Sequence, residues 1–406
     1  MRYFKIYVAV LLSFGFYSCL EEIDLKTEQE FESVLVVEST ITDNLSTQLV
    51  LLSKTYPLGE NEPLPELNAQ VRVLGDDGNT FSFQETEAGR YESVLPFAAQ
   101  DGVNYKLNII RNNGEAYFSE NSTISGISQI DDLYVNRDFN ENDLEGVSIY
   151  LDSSDPTARA QFYRYTYEET YKIIAPKYSP LDLEYEYLYN NPDFPNEITG
   201  INYFLVTKPE QQQDCYNTVA SNDIILGNTS SLTQENLEGF RVRFLSRFNT
   251  IITHRYSILV NQYVQSAEAY AYYETLKSLS DGGDVLLQQQ PGFVSGNIFS
   301  VDDPDRNIVG YFEVASLAKR RIYFNYSDLF PGEILPPYFQ SCTPFAPEEV
   351  RMGPTFPLVD ALEAGNKYFE PNNDMVSGEG AYDMVSPICG NCTIMGNNYP
   401  PDFWEE

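Results

Sequence analysis

Histidine is nearly missing from this chain: its 406 residues include one, His254. Ser-His-Asp and Cys-His nucleophilic catalysis and multi-histidine metal sites would all compete for that side chain. Cationic residues are scarce as well. There are 25 Lys+Arg against 60 Asp+Glu, a formal net charge of -35. A general DNA or RNA binder is thereby excluded, because phosphate neutralisation needs clustered Lys and Arg. Adsorption to an anionic membrane surface is disfavoured for the same reason. Disorder as the main state is excluded by what is abundant, a hydrophobic fraction of 42% with 14% aromatics. At ~100–200 residues per domain, the length allows two or three domains with real cores.

The first nineteen residues carry a compartment signal. Arg2 and Lys5 make a short positive segment, and Ile6 to Phe16 is a largely apolar run of eleven residues. That run is too short for a ~20-residue membrane span and suits the core of a signal peptide. Ser18 then precedes Cys19. A small residue before Cys, directly behind such a run, resembles a bacterial lipobox, in which the chain is cut before the cysteine and its thiol diacylated. Phe16 departs from the small or aliphatic residue usual three positions before the Cys. The competing reading is an ordinary secretory signal with Cys19 incidental. Each buried CH₂ contributes ~0.8 kcal/mol, so two or three acyl chains on Cys19 anchor a protein essentially permanently. Leu20, Glu21 and Glu22 follow. Acidic residues at that place resemble the surface-export signal of Bacteroidota lipoproteins, which implies the outer membrane, facing the cell exterior.

With Cys19 set aside, Cys215, Cys342, Cys389 and Cys392 remain. An even number in an exported chain suggests disulfides, with three connectivities open. Cys389-Gly390-Asn391-Cys392 is a CxxC. It follows Pro387 in a Gly- and Asn-rich stretch, which favours a structural staple over a redox pair or a four-cysteine zinc site.

The periodicity is mainly β. Val34 to Thr42 is β-branched and apolar, and Ala69, Val71 and Val73 share one strand face. Gly75-Asp76-Asp77-Gly78 has the Asp-Gly hairpin signature. Val103, Tyr105, Leu107 and Ile109 share another face. Roughly seven short strands with frequent turn signals predict an immunoglobulin- or fibronectin-like β-sandwich over residues 31–128. The expected organisation is a signal peptide over 1–18, an acidic tether over 19–30, that sandwich, and a larger β-rich domain over 129–406 with long loops and a few inserted helices. In the second part, Gln161 to Lys172 reads as a strand with one aromatic face, Tyr163, Tyr165 and Tyr167. Residues 176–200 read as a loop, broken by Pro176, Pro180, Pro192 and Pro195. Arg255 to Gln265 reads as a strand, as do Val309 to Val314 and Arg321 to Tyr326. Ser266 to Leu279 is the clearest helix, with Ser266 placed to cap it.

Several segments coincide with a known pattern. They are VLVVESTIT, AQVRVLGDDG, GRY with DGVNYKLNI, SAEAYAYYETLKSLSDGGD, PGFVSGNI, DPDRNIVGYFEVAS, and a closing CGNC with PPDFW. Together they resemble the Bacteroidota lipoprotein family DUF4249, a domain of unknown function. The matching glycine segments, Gly282-Gly283, Gly296-Asn297-Ile298 and Gly310-Tyr311-Phe312, are scaffold rather than catalytic motifs. The resemblance implies a surface lipoprotein encoded beside a TonB-dependent outer-membrane receptor, with a partner role in nutrient uptake.

Candidate chemistry is thin. Glu168 with Glu169, Asp131 with Asp132, and Asp302, Asp303 and Asp305 are acidic neighbours. Glycoside hydrolysis needs two carboxylates ~5–10 Å apart across a sugar, but in so acidic a chain adjacency arises by chance. Asp138, Asn140 and Asn142 have calcium-loop spacing without the required glycine, since residue 143 is Asp. His254 reads as a turn histidine beside Arg255. Arg241 and Arg243, with Arg247 if no bulge intervenes, share a strand face that either pairs with carboxylates or receives an anion. Tyr185, Tyr187 and Tyr189 either offer rings to a sugar or peptide or pack within their loop. No catalytic residue, metal or cofactor is assigned. The expectation is a non-enzymatic partner of a TonB-dependent receptor in substrate capture or gating. The alternative is a stand-alone glycan- or peptide-binding adhesin or a surface hydrolase.

Overall fold

The computed structural model describes residues 33–56, 63–190, 192–230, 236–281, 294–350 and 355–406. The expected signal peptide, Cys19, the expected acidic tether and Gly282-Gly283 lie outside the described residues. The fold is mainly β with a few short helices, as the periodicity indicates.

The first core is built from β1 (Leu35–Thr42), β2 (Leu49–Lys54), β3 (Leu64–Pro65), β4 (Gln70–Gly75), β5 (Thr80–Glu87), β6 (Arg90–Ser93), β7 (Tyr105–Ile110) and β8 (Ala116–Ser119). Strand alternation buries Val37, Ile41, Val71, Val73, Tyr105, Leu107 and Ile109 together, as their spacing predicts. The same core draws on residues far along the chain, Ile298, Ile308, Phe312 and Val314. The second core uses β9 (Gln129–Phe139), β10 (Glu145–Ser154), β11 (Phe162–Ile174), β12 (Leu181–Leu188), β13 (Gly200–Thr207), β14 (Asp214–Ala220), β15 (Ile225–Asn228), β16 (Leu237–Ser246) and β17 (Arg255–Gln265), of which β12 and β13 stand apart. After β17 come α1 (Ala267–Asp281), β18 (Ile298–Ser300) and β19 (Val309–Asn325).

One continuous sheet joins both cores, in the order β14-β11-β17-β19-β1-β2-β6-β5-β4-β7-β8-β18. β1 runs parallel to β19, and every other pairing along this path is antiparallel. The strip returns to β19 through Asn297, whose side chain exchanges two 2.8 Å hydrogen bonds with the Phe312 backbone. Two glycines permit this closure. A Cβ on Gly310, at φ +135, would sit 2.0 Å from the Val37 carbonyl oxygen. A Cβ on Gly296 would sit 1.5 Å from the Gly310 carbonyl oxygen.

The second core lies between the three-stranded sheet β16-β10-β9 and the β14-β11-β17-β19 end of the large sheet. Val147, Ile149 and Leu151 pack there with Tyr163, Tyr165, Tyr256, Ile258 and Val260. β19 differs from expectation. The two strands predicted over 309–314 and 321–326 are one 17-residue strand. The polar interval Lys319-Arg320-Arg321 stays extended because β17 pairs along it, Arg320 opposite Val260 and Arg321 opposite Leu259. The predicted helix is present, and Ser266 Oγ accepts the Ala269 N–H at 3.1 Å.

Where the cores meet, Arg164 on β11 is buried against Glu313 on β19 at 3.0 Å. Thr40 and Gln265 complete the polar cluster, and the Arg164 guanidinium lies over the rings of Tyr263 and Tyr273.

A third, smaller unit packs β12 and β13 with α3 (Pro357–Glu363), β20 (Lys367–Pro371) and β21 (Tyr382–Val385); α2 (Tyr326–Leu329) precedes it. Its core is Leu183, Leu358, Tyr368 and Met384. The loop predicted over 176–200 is therefore corrected: Leu181–Leu188 is a strand. Pro180 precedes it and Pro192 and Pro195 follow it, so no proline removes a ladder donor. Disulfides Cys215–Cys392 and Cys342–Cys389 tie this part of the chain down, with Cα–Cα distances of 5.7 and 5.6 Å. Each cysteine of the CxxC, one of them on α4 (Pro387–Gly390), bonds a distant partner.

Glu115, beside β8, meets Arg111 and Arg306. Burial alone pushes its carboxyl up, but hydrogen bonds from Asn113, Arg306, Tyr117 and Arg111 hold it down at about 2. A depressed native pKa stabilises the fold above the unfolded carboxyl's ordinary value, and that contribution fades as pH falls towards 2. Glu115→Gln is expected to flatten the acid-unfolding profile between about pH 4.5 and 2. An unchanged profile by circular dichroism would contradict this.

Candidate functional site

The hairpin β12–β13 presents aromatics because alternate strand residues share a face. Tyr185 and Tyr187 follow each other on it, and Tyr203 stands directly opposite Tyr185. Tyr185 and Tyr187 rings meet edge to face at 5.4 Å, and Tyr187 meets Tyr189 at 6.5 Å. The row turns a corner onto Phe356, 6.4 Å from Tyr187. Tyr203 meets Tyr382 of β21 at 6.3 Å.

Beside the Tyr203, Phe356 and Tyr382 rings opens a cavity of about 550 Å³, lined also by Ile201, Glu349 and Val350, while Tyr185 lines a separate one. Tyr203 is pushed up to about 12 by burial, reinforced by the nearby Glu349 charge. The hydrogen bond to Glu363, 2.9 Å away, raises Tyr185. Both phenols are therefore neutral donors at physiological pH. The cleft combines flat apolar faces with hydroxyl tips and one carboxylate, a lining that holds a ligand by stacking and orients it by a few polar contacts.

The other sequence candidates fall elsewhere. Arg241 and Arg243 lie on β16 of the second core, away from the tyrosine hairpin. Arg241 pairs with Glu141, Arg243 with Glu169 at 3.2 Å, and Arg247 with Glu145 and Glu333. A register shift between Ile149 and Tyr150 interrupts the ladder at this place, so the three arginines do not form one regular row. Glu168 and Glu169 face opposite sides of β11. Glu168 meets Arg321, while Glu169 accepts from the Tyr256 hydroxyl at 2.6 Å. Asp132 pairs with Arg320, and Asp303 approaches Arg306 at 3.8 Å. In the β9–β10 turn, Asn140 Oδ1 accepts the N–H groups of Asn142 and Leu144, and Asp138 accepts from Tyr150. Among the described residues no group of three His, Cys, Asp or Glu stands ready to hold a metal. His254 follows a short 3-10 turn, Thr250–Ile252, at the start of β17.

Tyr203, Phe356 and Tyr382 are the site residues that sequence reasoning passed over. They come from three separate stretches, and no local pattern links them.

The family profile described as Domain of unknown function (DUF4249) matches residues 20–321. No curated protein matches the chain. Among solved structures, the chain is similar in part to a DUF4785 family protein from Legionella pneumophila. That likeness has 11% identity and a TM-score of 0.17, and covers 56% of this chain and 51% of the other. The chain thus spans about half the length of that protein. A second likeness is to a structure of the manganese lipoxygenase of Gaeumannomyces graminis with a partial zonadhesin of Komagataella pastoris. It has 10% identity and a TM-score of 0.14, over 58% of this chain and 89% of that one. At such scores neither likeness carries an argument about function. The family profile does cover most of the chain, and on that ground the protein belongs to the DUF4249 family, a domain of unknown function.

Proposed function

We propose that this protein is a surface-exposed outer-membrane lipoprotein, anchored through acyl chains on Cys19, which serves a TonB-dependent receptor as a non-enzymatic partner in substrate capture or gating. The lipobox-like Ser18-Cys19 and the acidic Glu21-Glu22 support the anchor and its outward orientation. The resemblance of the chain's motifs to Bacteroidota lipoproteins encoded beside such receptors supports the partner. The observation that carries the binding role is the open aromatic cleft of Tyr203, Phe356 and Tyr382, continued by Tyr185, Tyr187 and Tyr189. A binding role without a reaction fits the adjacent glutamates, which face apart and are tied to Arg321 and Tyr256.

Extraction of the native membrane in mild detergent, followed by affinity capture, is expected to bring down a TonB-dependent barrel. Capture of the lipoprotein alone, with turnover of a glycan or peptide panel, would favour the stand-alone hydrolase instead. Metabolic labelling with a fatty acid is expected to mark the wild type and leave Cys19→Ala unlabelled. Tyr203→Ala and Tyr382→Ala are each expected to weaken capture of the co-purified ligand about tenfold, since an aromatic contact contributes ~0.5–1.5 kcal/mol beyond its buried area. Unaltered ligand recovery from both variants would remove the cleft from the reading.

A further inference from the structure

The single histidine lines a cavity that two cationic residues, Lys172 and Arg255, also line. Tyr171 on β11 pairs with Tyr256 on β17, so Lys172 and Arg255 come next in the register, opposite each other on adjacent strands. Arg255 in turn pairs with Asn325 on β19. Tyr171 and Tyr256 point into the second core, so Lys172, Arg255 and Asn325 form a row on the outer face. A cavity of about 470 Å³ opens beside this row, lined by Lys172, Thr253, His254, Arg255, Asn325 and Glu406 among others.

Like charges directly opposite across a ladder repel. Lys172 has acidic relief, from Asp214 at 3.4 Å and Glu406 at 3.5 Å. Arg255 has no carboxylate partner among the described residues. Its guanidinium donates to the Glu405 carbonyl and to Asn325 Oδ1. Neither imidazole nitrogen of His254 has a hydrogen-bond partner among the described residues, and the side chain is half-buried. A planar guanidinium, an ammonium and an imidazole converging on one space match the several oxygens of a carboxylate or phosphate.

We propose that this cavity is an anion site, taking a small carboxylate- or phosphate-bearing ligand between Arg255, Lys172 and His254. The arginine supplies a permanent charge, the lysine a second donor, and the histidine a contact that strengthens with protonation. Burial, and then the Lys172 charge, push His254 below its ordinary value, while Asp214 pulls the other way. A bound anion reverses that balance, so affinity rises as pH falls through the titration of His254.

Because the chain has one histidine, its imidazole proton signals need no assignment. The full-length chain in detergent, titrated separately with inorganic phosphate and with succinate at constant ionic strength, is expected to show a saturable shift of those signals. Chloride at the same ionic strength is expected to show none. The tighter arm tells a phosphate-bearing from a carboxylate-bearing ligand. Arg255→Ala is expected to weaken binding at least tenfold, while Arg255→Lys keeps most of it. The His254 signals themselves report whether each variant is folded. No saturable shift with either anion, or equal binding by the wild type and Arg255→Ala, would overturn the proposal.

Discussion

Glu313→Ala is expected to lower stability by about 3–5 kcal/mol, the usual effect of removing one partner from a buried ion pair. Its carboxylate is 2% exposed and accepts from Arg164, Thr40 and Gln265. The Arg164 side chain is 12% exposed and lies between the Tyr263 and Tyr273 rings. Without Glu313 the largely buried guanidinium loses its counter-charge, and most of its desolvation penalty falls on the folded state. Arg164→Met combined with Glu313→Leu removes both charges and is expected to recover most of the loss. Urea unfolding of the two singles and the double gives the coupling directly. A single mutant within ~1 kcal/mol of wild type would show that water reaches the pair.

Cys392→Ser is expected to cost about 2–5 kcal/mol. Both sulfurs of Cys215–Cys392 are fully buried, and the bond spans 177 residues against 47 for Cys342–Cys389. In the chain-entropy account the longer loop constrains the unfolded state more, so Cys342→Ser is expected to cost less. Thermal melts with and without reductant check both statements. Equal melting temperatures in the two conditions would count against any stabilising role for the staples.

The fold was largely legible because its strands are short and their alternation strong. Val71 and Val73, or Leu107 and Ile109, announce a buried face through neighbours two positions away. Lys319-Arg320-Arg321 breaks the apolar pattern of the long strand β19, so its sequence reads as two strands, and only its ladder with β17 keeps that interval extended. Prolines crowd the ends of the hairpin at Tyr185, so its sequence reads as loop, and proline count does not reveal which side of a strand boundary each one occupies. Tyr185, Tyr187 and Tyr189 recur at alternate positions in the sequence, and their rings meet in the fold. Their partners Phe356 and Tyr382 lie more than 150 residues further on, where nothing local points back to them.

Strand periodicity on its own indicates a mainly β chain, and the segment before Cys19 on its own has a lipobox-like pattern. Those properties are sums or local patterns, which tertiary context does not alter. Which cysteines join, which rings share a cleft and which cations face each other were decided by strand register and by the closing of the sheet on β19. Register depends on contacts between residues hundreds of positions apart, such as Val37 with Gly310. No window of sequence contains both halves of such a contact, and a one-residue slip would turn every side chain to the other face.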